Sequence, residues 1–219
     1  MNRQPIGGKS VVNITKKMKN LLDFLPRETE NIRLCGIDEA GRGPLAGPLV
    51  VAGVILDGRI NGLEDSKKLS EKTREKLYEK IMVRSRHHLV IFEAGQIDVD
   101  GLSVCLRRAL EETVEHLGGD GIRFLFDGNS SYGVGRIHTM VKADAKIREV
   151  AAASILAKVT RDRIMLKYAE KYPGYGFEKH KGYGTREHIE AISRYGYSPV
   201  HRRSFRIHSE DETPDLFAF

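Results

Sequence analysis

The chain has 219 residues, 40% of them hydrophobic and 30% charged, with 36 Lys and Arg against 30 Asp and Glu, a formal net charge of +6. That length suits one domain with short extensions, and the longest apolar run, residues 48–56, is too short to span a bilayer, so no membrane partner is expected. Two cysteines, Cys35 and Cys105, without a CxxC pattern speak against a structural zinc site or a disulfide framework and fit a reducing, cytoplasmic setting; the basic balance suits a polyanionic partner without requiring one.

In chain order, residues 1–31 read as an N-terminal extension. Lys9, Lys16, Lys17 and Lys19 precede no apolar stretch, so no signal peptide is expected, and Thr15 to Leu25 has the pattern of a short basic helix stopped by Pro26. Ile32 to Asp38 reads as a buried strand, broken by the glycine-rich stretch Glu39 to Gly47. Leu49 to Leu56 reads as a second strand. Ser70 is placed to cap a helix running to about Arg86, with Glu71 in its first turn, where the helix dipole favours an anion. His87 to Ala94 predicts a third strand. The stripe Leu102, Leu106, Leu110, Val114 and Leu117 predicts a helix ended by Gly118 and Gly119. Ile122 to Phe126 reads as a fourth strand with Asp127 at its C-terminal end, and Ile137 to Val141 as a short fifth. A long helix from about Lys146 to Tyr172 stops at Pro173, and Thr185 caps a last one that stops near Gly196. This order predicts an α/β fold: a mixed five-stranded sheet flanked by helices over residues 32–208, with a small helical part at its C-terminal end and an acidic, then apolar, tail at 209–219.

The chemistry concentrates where strands end. Asp38 and Glu39 close an apolar strand, and buried carboxylates are costly unless they meet a metal, a base or water. Neighbours on a regular strand point to opposite faces, so the pair can share a site only if the strand ends or bulges there. Gly41, Gly43 and Ala46 match a dinucleotide fingerprint. That motif needs a helix directly after the turn, whereas Pro44, Pro48 and a strand-like run follow, so close backbone approach to a ligand is the better use of these small residues. Asp127, before Gly128, also suits a turn, and Asp144 also suits a helix cap. Together the four acids are hard oxygen donors of the kind that suit Mg²⁺ or Mn²⁺.

Gly36-Ile37-Asp38-Glu39-Ala40-Gly41-Arg42-Gly43, Asp65-Ser66-Lys67-Lys68-Leu69-Ser70, Asp127-Gly128-Asn129, Lys142-Ala143-Asp144, the run from Ala151 to Asp162, His180-Lys181-Gly182-Tyr183-Gly184-Thr185 and His201-Arg202-Arg203-Ser204-Phe205 resemble, in order, the motifs of the type 2 ribonuclease H (HII) family. The resemblance covers about residues 33–206. It implies a ribonuclease H-like fold and an endonuclease that cuts the RNA strand of RNA/DNA hybrids and duplex DNA 5′ to embedded ribonucleotides, a step of ribonucleotide excision repair. It implies Asp38, Glu39, Asp127 and Asp144 as catalytic ligands of a two-metal site. Gly41, Arg42, Gly43 and Tyr183 would read the ribose 2′-hydroxyl, which both donates and accepts. Lys67, Lys68, Asn129, Lys146 and Lys181 are further candidate substrate contacts. Asp162 is left out of the ligand set, as the partner of a surface ion pair with Arg161 or Arg163. The family's fourth acid often follows glycine, where this chain has Ala143; a methyl group there matters only if the position requires positive φ.

The chain is expected to act as a monomer. Residues 213–219 loosely resemble Leu-Phe peptides that dock on a replication sliding clamp. Two rival readings remain at this point. One is another metal-dependent nuclease of this broad fold, of the resolvase or integrase type; the other is a non-catalytic nucleic-acid-binding module.

Overall fold

The computed structural model describes residues 32–63 and 69–207. The N-terminal extension, Lys67, Lys68 and the tail lie outside the described residues.

The chain forms β1 (Arg33–Ala40), β2 (Leu49–Leu56), α1 (Glu71–Val83), β3 (Ser85–Phe92), α2 (Ala94–Asp100), α3 (Leu102–Leu117), β4 (Ile122–Asp127), β5 (Ile137–Met140), α4 (Arg148–Lys171), α5 (Phe177–His180) and α6 (Arg186–Tyr195), with a 3₁₀ turn at Ala143–Ala145 before α4. The five strands make one mixed sheet in the order β3-β2-β1-β4-β5. β1–β2 and β2–β3 pair antiparallel, whereas β1–β4 and β4–β5 pair parallel. Ile37 lies opposite Phe126, so β1 and β4 finish side by side and deliver Asp38 and Asp127 to the same edge.

Strand alternation splits the core. Cys35, Ile37, Val51, Val90 and Phe124 pack on one face against Ile97 and the α3 residues Leu106 and Leu110. Val50, Ala52 and Val54 pack on the other against α1 and the alanine-rich side of α4. A smaller cluster of Ala46, Met165, Tyr175, Phe177 and Ala191 seats the C-terminal helices on α4. At Gly36 backbone meets backbone: a Cβ there would stand 2.2 Å from the backbone of Glu149 and Val150. α4 can therefore lie directly on β1 only over a residue without a side chain.

Most elements match their sequence patterns. Ser70 Oγ accepts from Thr73 N–H at 3.2 Å and Thr185 Oγ1 from His188 N–H at 3.4 Å, so both N-caps stand where expected. The differences are local. α2 and α5 were not anticipated: with seven and four residues they are too short to show a helical period. Gln96 accepting from the Glu93 N–H at 3.0 Å is the capping signal that marks α2. β1 does not end at Asp38. It continues through Glu39 and Ala40 in unbroken register with Val51 and Val50, so there is neither an early stop nor a bulge at the acid pair.

Candidate active site

β1 places Asp38 and Glu39 on opposite faces of the sheet edge. Asp38 lies on the α4 side, where the Ser154 hydroxyl hydrogen-bonds it. Glu39 continues the side of Cys35 and Ile37. Asp38, Asp127 and Asp144 converge, each offering a carboxylate oxygen within 4.8 Å of the others. Glu39 is outside that trio, yet the charge on Asp127 acts on both Asp38 and Glu39.

The turn after β5 fixes the trio. Lys142 adopts the left-handed conformation, φ 59° and ψ 38°. Its N–H donates to Asp127 Oδ1 at 2.9 Å, and the N–H of Asp144 donates to Oδ2 at 3.2 Å. Positive φ falls on Lys142 and not on Ala143, which is buried with ordinary φ, so the alanine is accommodated without strain. Asp144 is also not the cap of α4. It sits in the 3₁₀ turn, 3% exposed, and Ile147 occupies the cap position.

Burial and crowding raise the proton affinities of Asp38, Glu39 and Asp127. Asp38 is pushed well above the usual carboxylate range, first by burial and then by Glu39. Burial raises Glu39 against the opposing pull of Arg42. Asp127 is raised by burial, opposed by the Asp144 N–H and helped by the Asp144 carboxyl. Glu39 Oε1 takes an Arg42 Nη1 contact at 3.1 Å, while its buried Oε2 has no hydrogen-bond partner among the described residues. Converging hard-oxygen donors with too much negative charge for their surroundings, plus one orphaned carboxylate oxygen, fit divalent cations of the Mg²⁺ or Mn²⁺ class.

A cleft of about 350 Å³ opens beside Glu39, lined by Gly41, Arg42, Gly43, Ser154, Lys158, Arg161, Asp162 and Tyr183. Arg42 and Gly43 form its exposed lip and Tyr183 is 48% exposed, so the fold joins the expected glycine turn to the expected tyrosine. The join is covalently remote and sterically tight. Gly182 O accepts from Leu45 N–H at 2.8 Å, and a Cβ on Gly182 would stand 2.3 Å from Ala46 O. Lys181 is half-buried, with its ammonium hydrogen-bonded to Glu178 O. Asn129 and Lys146 are exposed just beyond Asp127 and Asp144.

Three histidines hold this loop, and their partners assign their tautomers. Ser198 N–H (2.9 Å) and Oγ–H (2.7 Å) donate to His201 Nδ1, so its Nε2–H donates to His188 Nε2 at 3.0 Å. The Nδ1–H of His188 then donates to Tyr183 O at 2.9 Å. His180 Nε2 donates to Tyr175 O at 2.8 Å while its Nδ1 accepts from Gly182 N–H at 3.2 Å. Burial pushes both His188 and His201 down to about 4, in keeping with neutral rings.

Sequence reading missed Ser154, Lys158 and the buried pair Arg161 and Arg202. It also paired Asp162 wrongly: its partner is Lys158 at 3.1 Å, because Arg161 turns inward to the carbonyls of Ala46 and Pro48 and Arg163 reaches Glu75 and Glu79. The i,i+4 spacing of Lys158 and Asp162 on α4 was the signal available.

Residues 35–208 match the family model described as Ribonuclease HII. Ribonuclease HII of Sulfurovum sp. (strain NBC37-1) is 58% identical over 190 residues, covering 87% of this chain and all of that protein. Ribonuclease HII of Aliarcobacter butzleri is 55% identical over 174 residues, 80% of this chain and 91% of its own. Among solved structures, RNase HII of Archaeoglobus fulgidus, seen in a complex with PCNA, superposes with a TM-score of 0.70 at 28% identity, over 82% of this chain and 98% of that one. Ribonuclease H2 of Pyrococcus horikoshii superposes at 0.65 and 29%, over 80% and 95%.

Proposed function

The chain belongs to the ribonuclease HII family, a family of endoribonucleases, and on that premise we propose that it cuts the RNA strand of RNA/DNA hybrids and incises duplex DNA 5′ to embedded ribonucleotides. The observation that carries this reading is that Glu39, the Gly41–Gly43 turn and Tyr183 line one cleft, while Asp38, the neighbour of Glu39 on β1, converges with Asp127 and Asp144.

In this reading Asp38, Asp127 and Asp144 would hold divalent cations, and Glu39, turned to the other face of β1 but still felt by the Asp127 charge, would join them around the strand end, so alternation along the strand does not by itself bar the pair from one site. Two such cations, when bound, would supply the Lewis acidity for a water to attack and for a 3′ oxygen to leave, with 3′-hydroxyl and 5′-phosphate ends as the expected products. The chain's own residues do the positioning. The backbone of Arg42 and Gly43, exposed and free of Cβ crowding at Gly43, approaches the sugar edge, with Gly41 buried behind it. The Tyr183 phenol offers a donor and an acceptor to a 2′-hydroxyl, which distinguishes ribose from deoxyribose. Asn129, Lys146 and Lys181 line the approach as phosphate contacts, with Lys67 and Lys68 as further candidates. Ser154 holds the Asp38 carboxyl in place from α4.

The resolvase-type and binding-module readings predict different substrates. A matched set of RNA, DNA, hybrid and single-ribonucleotide duplexes, assayed with Mg²⁺, Mn²⁺ and chelator, separates them. Cutting of the hybrid and of the single-ribonucleotide duplex at its 5′ side, lost in chelator and reduced about 100-fold or more by Asp127→Asn, is expected. Equal cutting of all-DNA duplexes, or near-normal cutting by the variant, would reject the proposal.

No helix among the described residues is long and apolar enough to cross a membrane; a cytoplasmic monomer serving ribonucleotide repair is the setting proposed. The Archaeoglobus relative was solved with PCNA, and residues 213–219 are proposed as the corresponding clamp-binding segment. Deleting them should abolish clamp binding, and unchanged binding would remove the idea.

A further inference from the structure

His88 on β3 and Glu112 and His116 on α3 form a second cluster, on elements that take no part in the carboxylate site. β3 is the outer strand of the sheet, two strands from β1. One ligand atom from each of the three residues lies within 4.8 Å of the others. Glu112 and His116 are an i,i+4 pair and so share a face of α3, and His88 approaches that face from the strand beneath, its Nε2 2.8 Å from Glu112 Oε1. The two imidazoles stack with centroids 3.9 Å apart.

The hydrogen bonds already prepare ligands. His116 Nδ1 lies 3.0 Å from the carbonyl oxygen of Glu112, to which it donates. That fixes the tautomer and leaves the Nε2 lone pair outward, the arrangement metal-binding histidines use. His88 and Glu112 stand at roughly the separation of two ligands on one ion, with a proton where the ion would sit. A tilt of the exposed His116 ring out of its stack would close the third side and leave the remaining position to solvent. Elsewhere the loop histidines are committed: His180, His188 and His201 each have both ring nitrogens in hydrogen bonds.

We propose that His88, Glu112 and His116 form a binding site for a borderline divalent transition metal, Zn²⁺ or its neighbours Co²⁺, Ni²⁺ and Cu²⁺, which ties the outer strand to α3. Two nitrogens and one carboxylate select this class over Mg²⁺, which prefers an all-oxygen set. The chain then holds two kinds of metal at two places, and this site does not depend on the nuclease assignment.

The test uses untagged full-length protein carrying Asp127→Asn, so that the carboxylate cluster is weakened as a competitor. Zn²⁺ binding is followed by calorimetry in excess Mg²⁺, and Co²⁺ binding by its visible absorption. One tight equivalent of Zn²⁺ is expected. It should weaken roughly tenfold or more when either His116→Ala or Glu112→Gln is added, with loss of the Co²⁺ band. His116 is exposed and Glu112→Gln keeps the side chain's shape, so both variants should fold, as circular dichroism will check. No tight equivalent, its displacement by Mg²⁺, or unchanged binding in both added variants would overturn the proposal.

Discussion

Arg202 donates from Nη2 to the carbonyl oxygen of Gly41 at 2.6 Å, across 161 residues of chain. Its Nη1 reaches Arg42 O at 3.1 Å and its Nε reaches Gly47 O at 2.9 Å. Arg161, from α4, takes Pro48 O at 3.0 Å and Ala46 O at 3.1 Å. Both arginines are almost wholly buried, and burial lowers their proton affinity, that of Arg202 to about 10. Two planar guanidiniums thus hold the carbonyls of the cleft's glycine turn, a job that suits their fixed fork of donors.

Arg202→Lys keeps the charge but replaces the fork with a single ammonium, which cannot span Gly41, Arg42 and Gly47. Buried carbonyls left without donors cost about 1–3 kcal/mol. Urea denaturation should show a loss of that size, together with a raised KM on a single-ribonucleotide duplex. Unchanged stability and KM would mean that the turn holds its shape unaided.

Gly36→Ala places a methyl group where the α4 backbone lies 2.2 Å away. α4 must lift from β1, at a cost of about 1–3 kcal/mol or more, and Ser154 moves away from Asp38 with it. The expected result is a lower urea midpoint and weakened cation-dependent cutting. Wild-type values for both would contradict the packing described.

Tyr183→Phe removes one oxygen from a residue 48% exposed at the cleft. The loop should survive, because His188 hydrogen-bonds the Tyr183 carbonyl and not its phenol. The ratio of cutting at ribose-containing to all-DNA duplexes should fall, while calorimetric Mn²⁺ binding stays unchanged. Equal losses on every substrate would count against ribose reading.

The histidine chain makes a signed prediction about acid. His188 and His201 are lowered to about 4 in the folded protein, against about 6.5 in an unfolded chain. Between those values the unfolded chain binds more protons. The histidines' contribution to stability is therefore fully present above about pH 6.5 and is lost as pH falls toward 4, by roughly 1.4 kcal/mol per pH unit for each ring. NMR titration should find both imidazoles neutral at pH 5. The stability gap between the wild-type chain and His201→Gln should narrow on acidification. A midpoint near the ordinary value for either ring, or a gap independent of pH, would contradict the assignment.

Much of the site was legible because its signals are short-range. An apolar run closing on Asp38-Glu39, a strand ending at Asp127, and the caps at Ser70 and Thr185 each depend on a few consecutive residues, and each element formed there, with β1 running on two residues past Asp38. Asp162 shows the limit of that reading: its neighbours in sequence include two arginines, yet its partner is Lys158, one helical turn back.

By itself, then, the sequence determined the strands and longer helices, their order, and which carboxylates stand at their ends, because periodicity and capping are properties of neighbouring residues. Tertiary structure alone decided that Asp38, Asp127 and Asp144 meet while Glu39 faces the other side, that two arginines abandon the surface to hold a distant turn, and that His188 and His201 stay neutral beneath a tyrosine. Those outcomes depend on parallel pairing of β1 with β4 and on α4 lying over Gly36. Burial, which shifts Asp38, Glu39, Asp127, the two arginines, His188 and His201, exists only after the layers have packed.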